Sequence, residues 1–365
     1  MAILQFDGFD HYGNGSMQGA GIRANFEGAG FTPFGTRTMT LGTAYGKNAG
    51  SYGIQLSTTI ASDSELNKIH ISKPIKPEQY KSVTPYAAKD LVILGYAFRV
   101  ISNPTAELTI AKVGDHEVSI GIDMFMMGDG VPTQYQIELG IWNWMEVEVN
   151  PRDSRFRIWM NDVLVHEVLM TEQTVKLDKW EIKAHYKANG AANVAIIQVD
   201  DYYLLDASTS EVSVAVTRLG KINVTTRFPT ADSEVQFTRD TGATSFSRVN
   251  QQSPDNDTSF VYTNTIGATD LYGNAATFPT IDENAVVAVA VSVSSRQTEP
   301  DSLSLAPVIK SGTIQAERER VGIKAAIYTS EKGIFEVDPA TGARWKPAAV
   351  VAATFGQKIL DKVAP

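Results

Sequence analysis

The chain has 365 residues, a formal net charge of -9 and no cysteine, which excludes disulfides, thiolate metal sites and cysteine nucleophiles. Its Lys and Arg residues form no run, and binding to a phosphate backbone needs clustered positive charge, so nucleic acid is not expected as a partner. The length predicts two or three domains, and such domains can bury a core without a metal or disulfide.

The beginning of the chain predicts no signal peptide, because residues 1–7 lack a basic region followed by a long apolar stretch. The longest apolar stretch, residues 285–293, is far shorter than the roughly 20 residues that a membrane-spanning helix needs. We therefore expect a soluble product that is neither exported by a signal peptide nor inserted into a membrane.

The first half of the chain has the periodicity of β-strands. Residues 90–100 are apolar on both faces, which is typical of a strand in the middle of packed sheets. Residues 106–111 and 116–122 alternate around a turn at Gly114 and Asp115. No long amphipathic helix is indicated before residue 206, so we predict an all-β sandwich or barrel.

A hairpin is predicted at Asn161 and Asp162, which separate residues 155–160 from residues 163–166. Asn and Asp tolerate positive φ, so the pair suits a two-residue turn.

The domain boundary is predicted at a small polar segment, residues 207–210, which follows a closing strand at residues 193–206. We therefore predict one domain over residues 1–207 and a second, β-rich domain over residues 208–365. Strands in the second domain are predicted at residues 212–216, 222–227, 259–264 and 285–294, with a turn at residues 338–342 and a short helix at residues 347–356.

Two glutamates raise the possibility of glycan hydrolysis, because Glu146 and Glu148 share one face of a predicted strand. A retaining glycosidase needs two carboxyl groups about 5–5.5 Å apart. A Glu-x-Asp-x-x-Glu pattern could supply such a pair, but no third acid follows Glu148 at the place that this pattern requires. We therefore interpret the two glutamates as a solvent-facing row, with Trp144, Met145 and Val147 facing inward.

Metal and phosphate sites are not predicted. Asp200 and Asp201 lack the spaced acidic loop of a calcium site. Asp7, Asp10, Asp115 and Glu117 adjoin histidines, but the five histidines (His11, His70, His116, His166 and His185) show no zinc-ligand spacing. The glycines at Gly13, Gly15, Gly19 and Gly21 read as loop, since no P-loop lysine follows. We predict no catalytic residue, metal or cofactor.

Three aromatic residues could instead contact sugar. Trp142 and Trp144 share a face if they lie in a strand, and Tyr135 is nearby in the sequence. Large aromatic residues two positions apart are more often part of a core, so core packing is the first interpretation and sugar contact is the second.

Several segments, in order, resemble the concanavalin A-like (lectin/glucanase) domain that is common in phage structural proteins. They are residues 4–12, 53–56, 94–99, 144–149, 157–162 and 199–206. Asn161-Asp162 stands where relatives often have Asn-Gly. Residues after 207 resemble the segment that follows such domains in virion proteins. The resemblance implies a jelly-roll sandwich followed by a β-rich assembly domain, with the acidic pair Asp200-Asp201 capping backbone amides.

The resemblance also implies a function. We expect a non-enzymatic component of a bacteriophage particle, made in the host cytoplasm, that forms a homo-oligomer and docks to other virion proteins. A place on the tail, baseplate or fibre is expected rather than on the head. The alternatives are a receptor-binding protein that grips a host glycan, a head decoration protein, and, least favoured, a glycan depolymerase using Glu146 and Glu148.

Overall fold

A computed structural model of the chain forms two compact units. The first comprises residues 1–26 and 31–225, and the second comprises residues 27–30 and 226–365. The predicted boundary between residues 207 and 208 lies outside the described residues, so it stays a prediction. The structure describes residues 2–16, 20–34, 39–59, 68–75, 91–102, 104, 106–151, 153–170, 177–186, 194–206, 218–275, 286–298, 303–318, 321–323, 325 and 327–361.

The first unit consists of strands with one helix among them. In chain order they are β1 (Ala2–Asp7), β2 (Gly15–Ser16), α1 (Ala20–Gly28), β3 (Thr32–Phe34), β4 (Met39–Gly42), β5 (Gly53–Thr59), β6 (Lys68–Pro74), β7 (Val92–Val100), β8 (Leu108–Val113), β9 (His116–Ile120), β10 (Phe125–Gly128), β11 (Val131–Gln136), β12 (Asn143–Asn150), β13 (Arg155–Met160), β14 (Val163–Leu169), β15 (Lys179–Tyr186) and β16 (Val194–Asp206).

These strands form two antiparallel sheets. Sheet A has the order β14-β13-β12-β7-β16-β5-β4-β2, with β1 also beside β16, and sheet B has the order β11-β10-β9-β8-β15-β6-β3. The sheets pack face to face: the Tyr96 hydroxyl on β7 donates a hydrogen bond of 3.0 Å to the Ile110 carbonyl on β8. The predicted mostly-β fold with an N-terminal jelly-roll sandwich is confirmed.

The core of the sandwich follows the predicted pattern of apolar residues. All side chains of β7 are buried except that of Arg99, because β7 lies in the middle of sheet A. Burying one large apolar side chain contributes about 1.5–3 kcal/mol. Phe9, Phe26, Phe31 and Trp180 are also buried and form part of an aromatic cluster.

Two predicted turns of the first unit are confirmed. Asn161 and Asp162 join β13 to β14 with φ values of 49° and 70°, the positive values that a two-residue hairpin turn requires. Gly114, with φ of 59°, joins β8 to β9.

The expectation of an all-β first half was wrong at α1. Residues 20–28, which include Gly21, are helical rather than loop. Phe26, near the end of this helix, is fully buried, with its ring centre 4.2 Å from that of Tyr12 and 5.2 Å from that of Phe31. Packing of this aromatic residue stabilises a helix that its own sequence only weakly favours.

The second unit is also β-rich. Its elements are β17 (Ala231–Glu234), β18 (Thr238–Arg239), β19 (Val261–Tyr262), β20 (Thr269–Gly273), β21 (Val289–Ser295), β22 (Leu303–Ser311), β23 (Ile314–Glu317), β24 (Val321–Gly322), β25 (Thr329–Phe335), α2 (Pro347–Ala352) and β26 (Thr354–Asp361), with short 3-10 helices at Phe246–Arg248 and Asn256–Thr258. The main sheet has the order β17-β20-β26-β22-β23, with β24 beside β22.

Several predicted bounds in the second unit need correction. The helix predicted at residues 347–356 ends at Ala352, and Gly356 lies within β26. Residues 222–227 form no strand, and residues 212–216 lie outside the described residues. The predicted turn is confirmed, since the Gly342 N–H donates to the Asp338 carbonyl at 2.8 Å.

The helices α1 and α2 are short. Within the described part of the chain, no helix has the length and apolar character needed to cross a membrane.

Candidate functional site

The candidate carboxylates lie on the outer face of sheet A, which is the face turned away from sheet B. Tyr96 points into the sandwich, so its neighbour Gly95 lies on the outer face, because successive strand residues alternate. Glu146 on β12 and Tyr203 on β16 both stand opposite Gly95. These side chains therefore share the outer face.

Glu146 is a buried structural anchor and has an exposed fraction of 0%. Its carboxylate accepts hydrogen bonds from the Tyr203 hydroxyl and the Arg218 guanidinium, and from the Gly220 N–H at 2.9 Å. A buried carboxylate is costly unless it is paired and hydrogen-bonded, and these donors meet that need. The interpretation of Glu146 as solvent-facing was wrong.

Glu148 is also buried, so its predicted exposure was wrong as well. Arg157 donates to Glu148 at 2.6 Å and through its Nε to Glu167 at 2.6 Å. Met145 and Val147 face inward as predicted, but Trp144 lies on the face of Glu146, so its predicted inward orientation was wrong. Glu146 and Glu148 thus each bind an arginine of their own.

Residues 218–224, which we call the strap, lie on this outer face. The guanidinium carbon of Arg218 is 3.8 Å from the centre of the Trp159 ring, and Trp159 stands opposite Glu146 in the sheet. The Leu219 N–H donates to the Tyr203 hydroxyl at 3.2 Å. One end of the strap is therefore fixed by a charge, a ring and two backbone hydrogen bonds.

The acidic pair Asp200-Asp201 fixes the other end of the strap. Asp201 accepts a hydrogen bond from the Val224 N–H at 2.8 Å and pairs with the Lys47 ammonium at 2.5 Å. The same ammonium donates to the Ile222 carbonyl at 2.9 Å. Asp200 accepts from the Lys47 N–H at 2.7 Å. The acidic pair thus caps backbone amides, as the resemblance implies.

The electrostatics of the pair differ from those of ordinary carboxylates. Burial, followed by the neighbouring Asp201 carboxylate, raises the pKa of Asp200 to about 7. Burial also raises the pKa of Asp201, whereas Lys47 acts in the opposite direction. The pair therefore carries less negative charge near neutral pH than two exposed aspartates would.

The N-terminal acids are likewise engaged in local structure. Asp7 accepts a hydrogen bond from the Phe9 N–H at 2.8 Å and from the Tyr12 hydroxyl at 2.7 Å, and His11 is 3.8 Å away. Asp10 accepts from the Tyr52 N–H at 2.8 Å.

The remaining histidines lie on different strands, although His116 and His166 both pack against Phe156. His116 pairs with Asp129 at 2.7 Å rather than with Asp115 or Glu117. His70 lies on β6, His185 on β15 and His166 on β14. Among the described residues, no group of three or more His, Asp or Glu side chains is arranged to hold a metal ion.

The three aromatic residues of the sugar interpretation have different surroundings. Trp144 is buried and stacks on Tyr203, with ring centres 6.0 Å apart. The Tyr135 hydroxyl accepts from Asn161 at 2.7 Å. Trp142 is half-buried beneath Arg99, whose guanidinium carbon is 4.9 Å from the ring centre.

Arg99 begins a row of polar side chains that sequence reasoning missed. Its Nε donates to the Gln198 carbonyl oxygen at 2.5 Å, and the Gln198 amide donates to Gln55 at 2.8 Å. These residues stand on neighbouring strands β7, β16 and β5. With Trp142, they form a polar row with an aromatic end.

Comparisons with known proteins give only distant likenesses. No family model matches the chain, and no curated protein matches it. A sialidase is similar at 10% identity and a TM-score of 0.39, over 57% of this chain and 19% of that chain. Alginate lyase AlgAT5 of polysaccharide lyase family 7 is similar at 7% identity and a TM-score of 0.35, over 42% of this chain and 78% of that chain.

The binding domain of Paraclostridial Mosquitocidal Protein 1 is also similar, at 13% identity and a TM-score of 0.37. This likeness covers 57% of this chain and 50% of that chain. The chain thus spans only a small part of the sialidase and half of the mosquitocidal binding domain. These TM-scores are too low to indicate an activity or a ligand.

Proposed function

We propose that the chain is a non-enzymatic structural component of a bacteriophage particle, which works by assembling with itself and docking to other virion proteins. The observation that carries this proposal is that the acids on the outer face of sheet A bind other residues of the same chain. Glu146 binds Arg218, and Asp201 binds Lys47 and the Val224 amide. Acids that could serve catalysis on a sheet face instead fix the chain's own strap.

The resemblance of the sequence to phage structural proteins supports the placement in a virion, on the tail, baseplate or fibre rather than on the head. This is reasoning by analogy of fold and segment order. The test is deletion of the gene from the phage that encodes it, followed by electron microscopy of the particles. We expect incomplete particles that are restored by supplying the chain; complete, infectious particles without it would contradict the proposal.

The absence of enzymatic activity is tested with the purified chain. We expect no new chain ends when it is incubated with a panel of neutral and acidic polysaccharides. Degradation that Glu148→Gln abolishes would contradict the proposal, because it would show that this carboxylate acts on substrate despite its pairing with Arg157.

Host-glycan binding is the second candidate, and the polar row favours it. The Arg99 guanidinium lies over the Trp142 ring and is hydrogen-bonded to Gln198, which is bonded in turn to Gln55. A planar polar group beside an aromatic ring suits sugar hydroxyls and C–H faces. A glycan array tests it: binding by the wild-type chain that Arg99→Ala abolishes would support this function. Arg239→Ala, at an exposed position in the second unit, is the matched control.

A further inference from the structure

The ends of the two sheets differ in how readily they could accept another strand. Among the strands that the structure describes, sheet B ends in β3 and β11, which contain Pro33 and Pro132, and proline cannot donate a ladder hydrogen bond. Within the same described residues, sheet A ends on one side in β2, which is only two residues long. On the other side it ends in β14, which has seven residues without proline or lysine.

β14 also exposes apolar side chains along this edge. Val163, Leu164 and Leu169 are 58%, 41% and 64% exposed. Single exposed apolar residues are ordinary, but natural edge strands are usually protected by proline, lysine or short length. In contrast, the described side chains of β1, another edge in the described part of sheet A, are buried or half-buried.

We propose that β14 is the site where a second copy of this chain adds, strand against antiparallel strand, around a two-fold axis. The inference rests on the proposed self-assembly and names its surface. On the outer face β14 presents Leu164, Glu167 and Leu169; Val165 is the extra residue of the β-bulge and has no partner on β13. The pattern Leu, Glu, Leu is therefore the same in both strand directions. A two-fold axis at Glu167 places Leu164 opposite Leu169 of the second copy.

The charges at this edge suit a second copy. Two Glu167 side chains facing each other would repel if they were unpaired. Each, however, accepts hydrogen bonds from Arg155 and, at 2.6 Å, from Arg157 of its own chain. The central carboxylates are thus neutralised within each copy, and the two flanking leucine pairs remove apolar surface from water.

The first test is sedimentation velocity of the full chain over a range of concentrations. We expect the wild type to self-associate and Leu169→Lys to weaken this by about tenfold or more, since it places a charge in an apolar pair. Ile266→Lys, at a similarly exposed turn position in the second unit, should associate like the wild type.

The second test uses the lack of cysteine in the chain. Leu164→Cys combined with Leu169→Cys should give a disulfide-linked dimer on a non-reducing gel, because opposed Cα atoms in an antiparallel pair lie about 4.5–5.5 Å apart. Each single variant is a matched control and should stay unlinked, since its thiol would face a leucine.

The outcomes separate this inference from the proposed function. Suppose that the wild type self-associates, that Leu169→Lys self-associates equally, and that the double cysteine variant stays unlinked. Then β14 is not the interface, although the proposed self-assembly is retained. If the wild type is a monomer at every concentration, self-assembly itself is contradicted.

Discussion

Glu146 illustrates how an acid on the outer face of sheet A stabilises the fold. It is fully buried, and its carboxylate meets donors from β16 and from the strap. Such a group stabilises the fold only while its partners are present, because an unpaired buried charge is strongly destabilising.

The pairing of Glu146 with Arg218 gives the first prediction. Arg218→Ala should lower the free energy of unfolding by about 3 kcal/mol, because it leaves the buried carboxylate without its cation. Urea denaturation measures this change. Arg239→Ala is the control, and a loss no larger than that of the control would contradict the role of Arg218 as an anchor.

The raised pKa of Asp200, about 7, gives the second prediction. In the unfolded chain the carboxyl has its ordinary pKa near 3.8, so the folded state binds the extra proton between the two values. The stabilisation from this proton is fully present below the unfolded pKa and is lost as pH rises through the folded pKa. Asp200→Asn has no such proton to lose.

The excess stability of the wild type over Asp200→Asn should therefore shrink as pH rises from about 4 to 7 and then stay constant. Urea denaturation of both proteins at about pH 5, 6, 7 and 8 measures it. A difference that increases with pH would show that Asp200 has an ordinary or lowered pKa in the folded chain.

The β13–β14 hairpin gives the third prediction. Asp162 has φ of 70°, a conformation that glycine adopts without steric cost. Asp162→Gly should raise the free energy of unfolding by about 0.5–1 kcal/mol. Thermal denaturation checks this. Asn161→Gly is the contrasting variant and should destabilise, because the Asn161 side chain accepts from the Trp144 N–H and donates to Tyr135.

Elements with a long apolar run or a tight turn could be predicted from the sequence, whereas those fixed by distant packing could not. The strand predicted at residues 90–100, which the structure has at Val92–Val100, and the Asn161-Asp162 turn followed from local rules. Helix α1 did not, since burial of Phe26 among aromatic residues stabilises it. Gly356 suggested a helix end, but a Cβ there would lie 1.9 Å from the Asp270 carbonyl oxygen, so the glycine allows close approach of two strands.

The site depends on contacts between residues far apart in the sequence. Glu146 and Arg218 are 72 positions apart, and Lys47 and Asp200 are 153 apart. The sequence singled out Glu146, Glu148, Asp200 and Asp201 but offered no local signal for Arg218, Arg157 and Lys47, which bind Glu146, Glu148 and Asp201. It therefore misjudged the exposure of Glu146 and Glu148.

We propose that this chain is a building block of a virion and that the acids on its outer face stabilise its own fold. The most direct measurement is quantitative mass spectrometry of purified phage particles, with a virion protein of known copy number as the internal standard. We expect the chain to be present in a fixed, multiple copy number per particle. Its absence from particles, or a trace amount that varies between preparations, would contradict the claim.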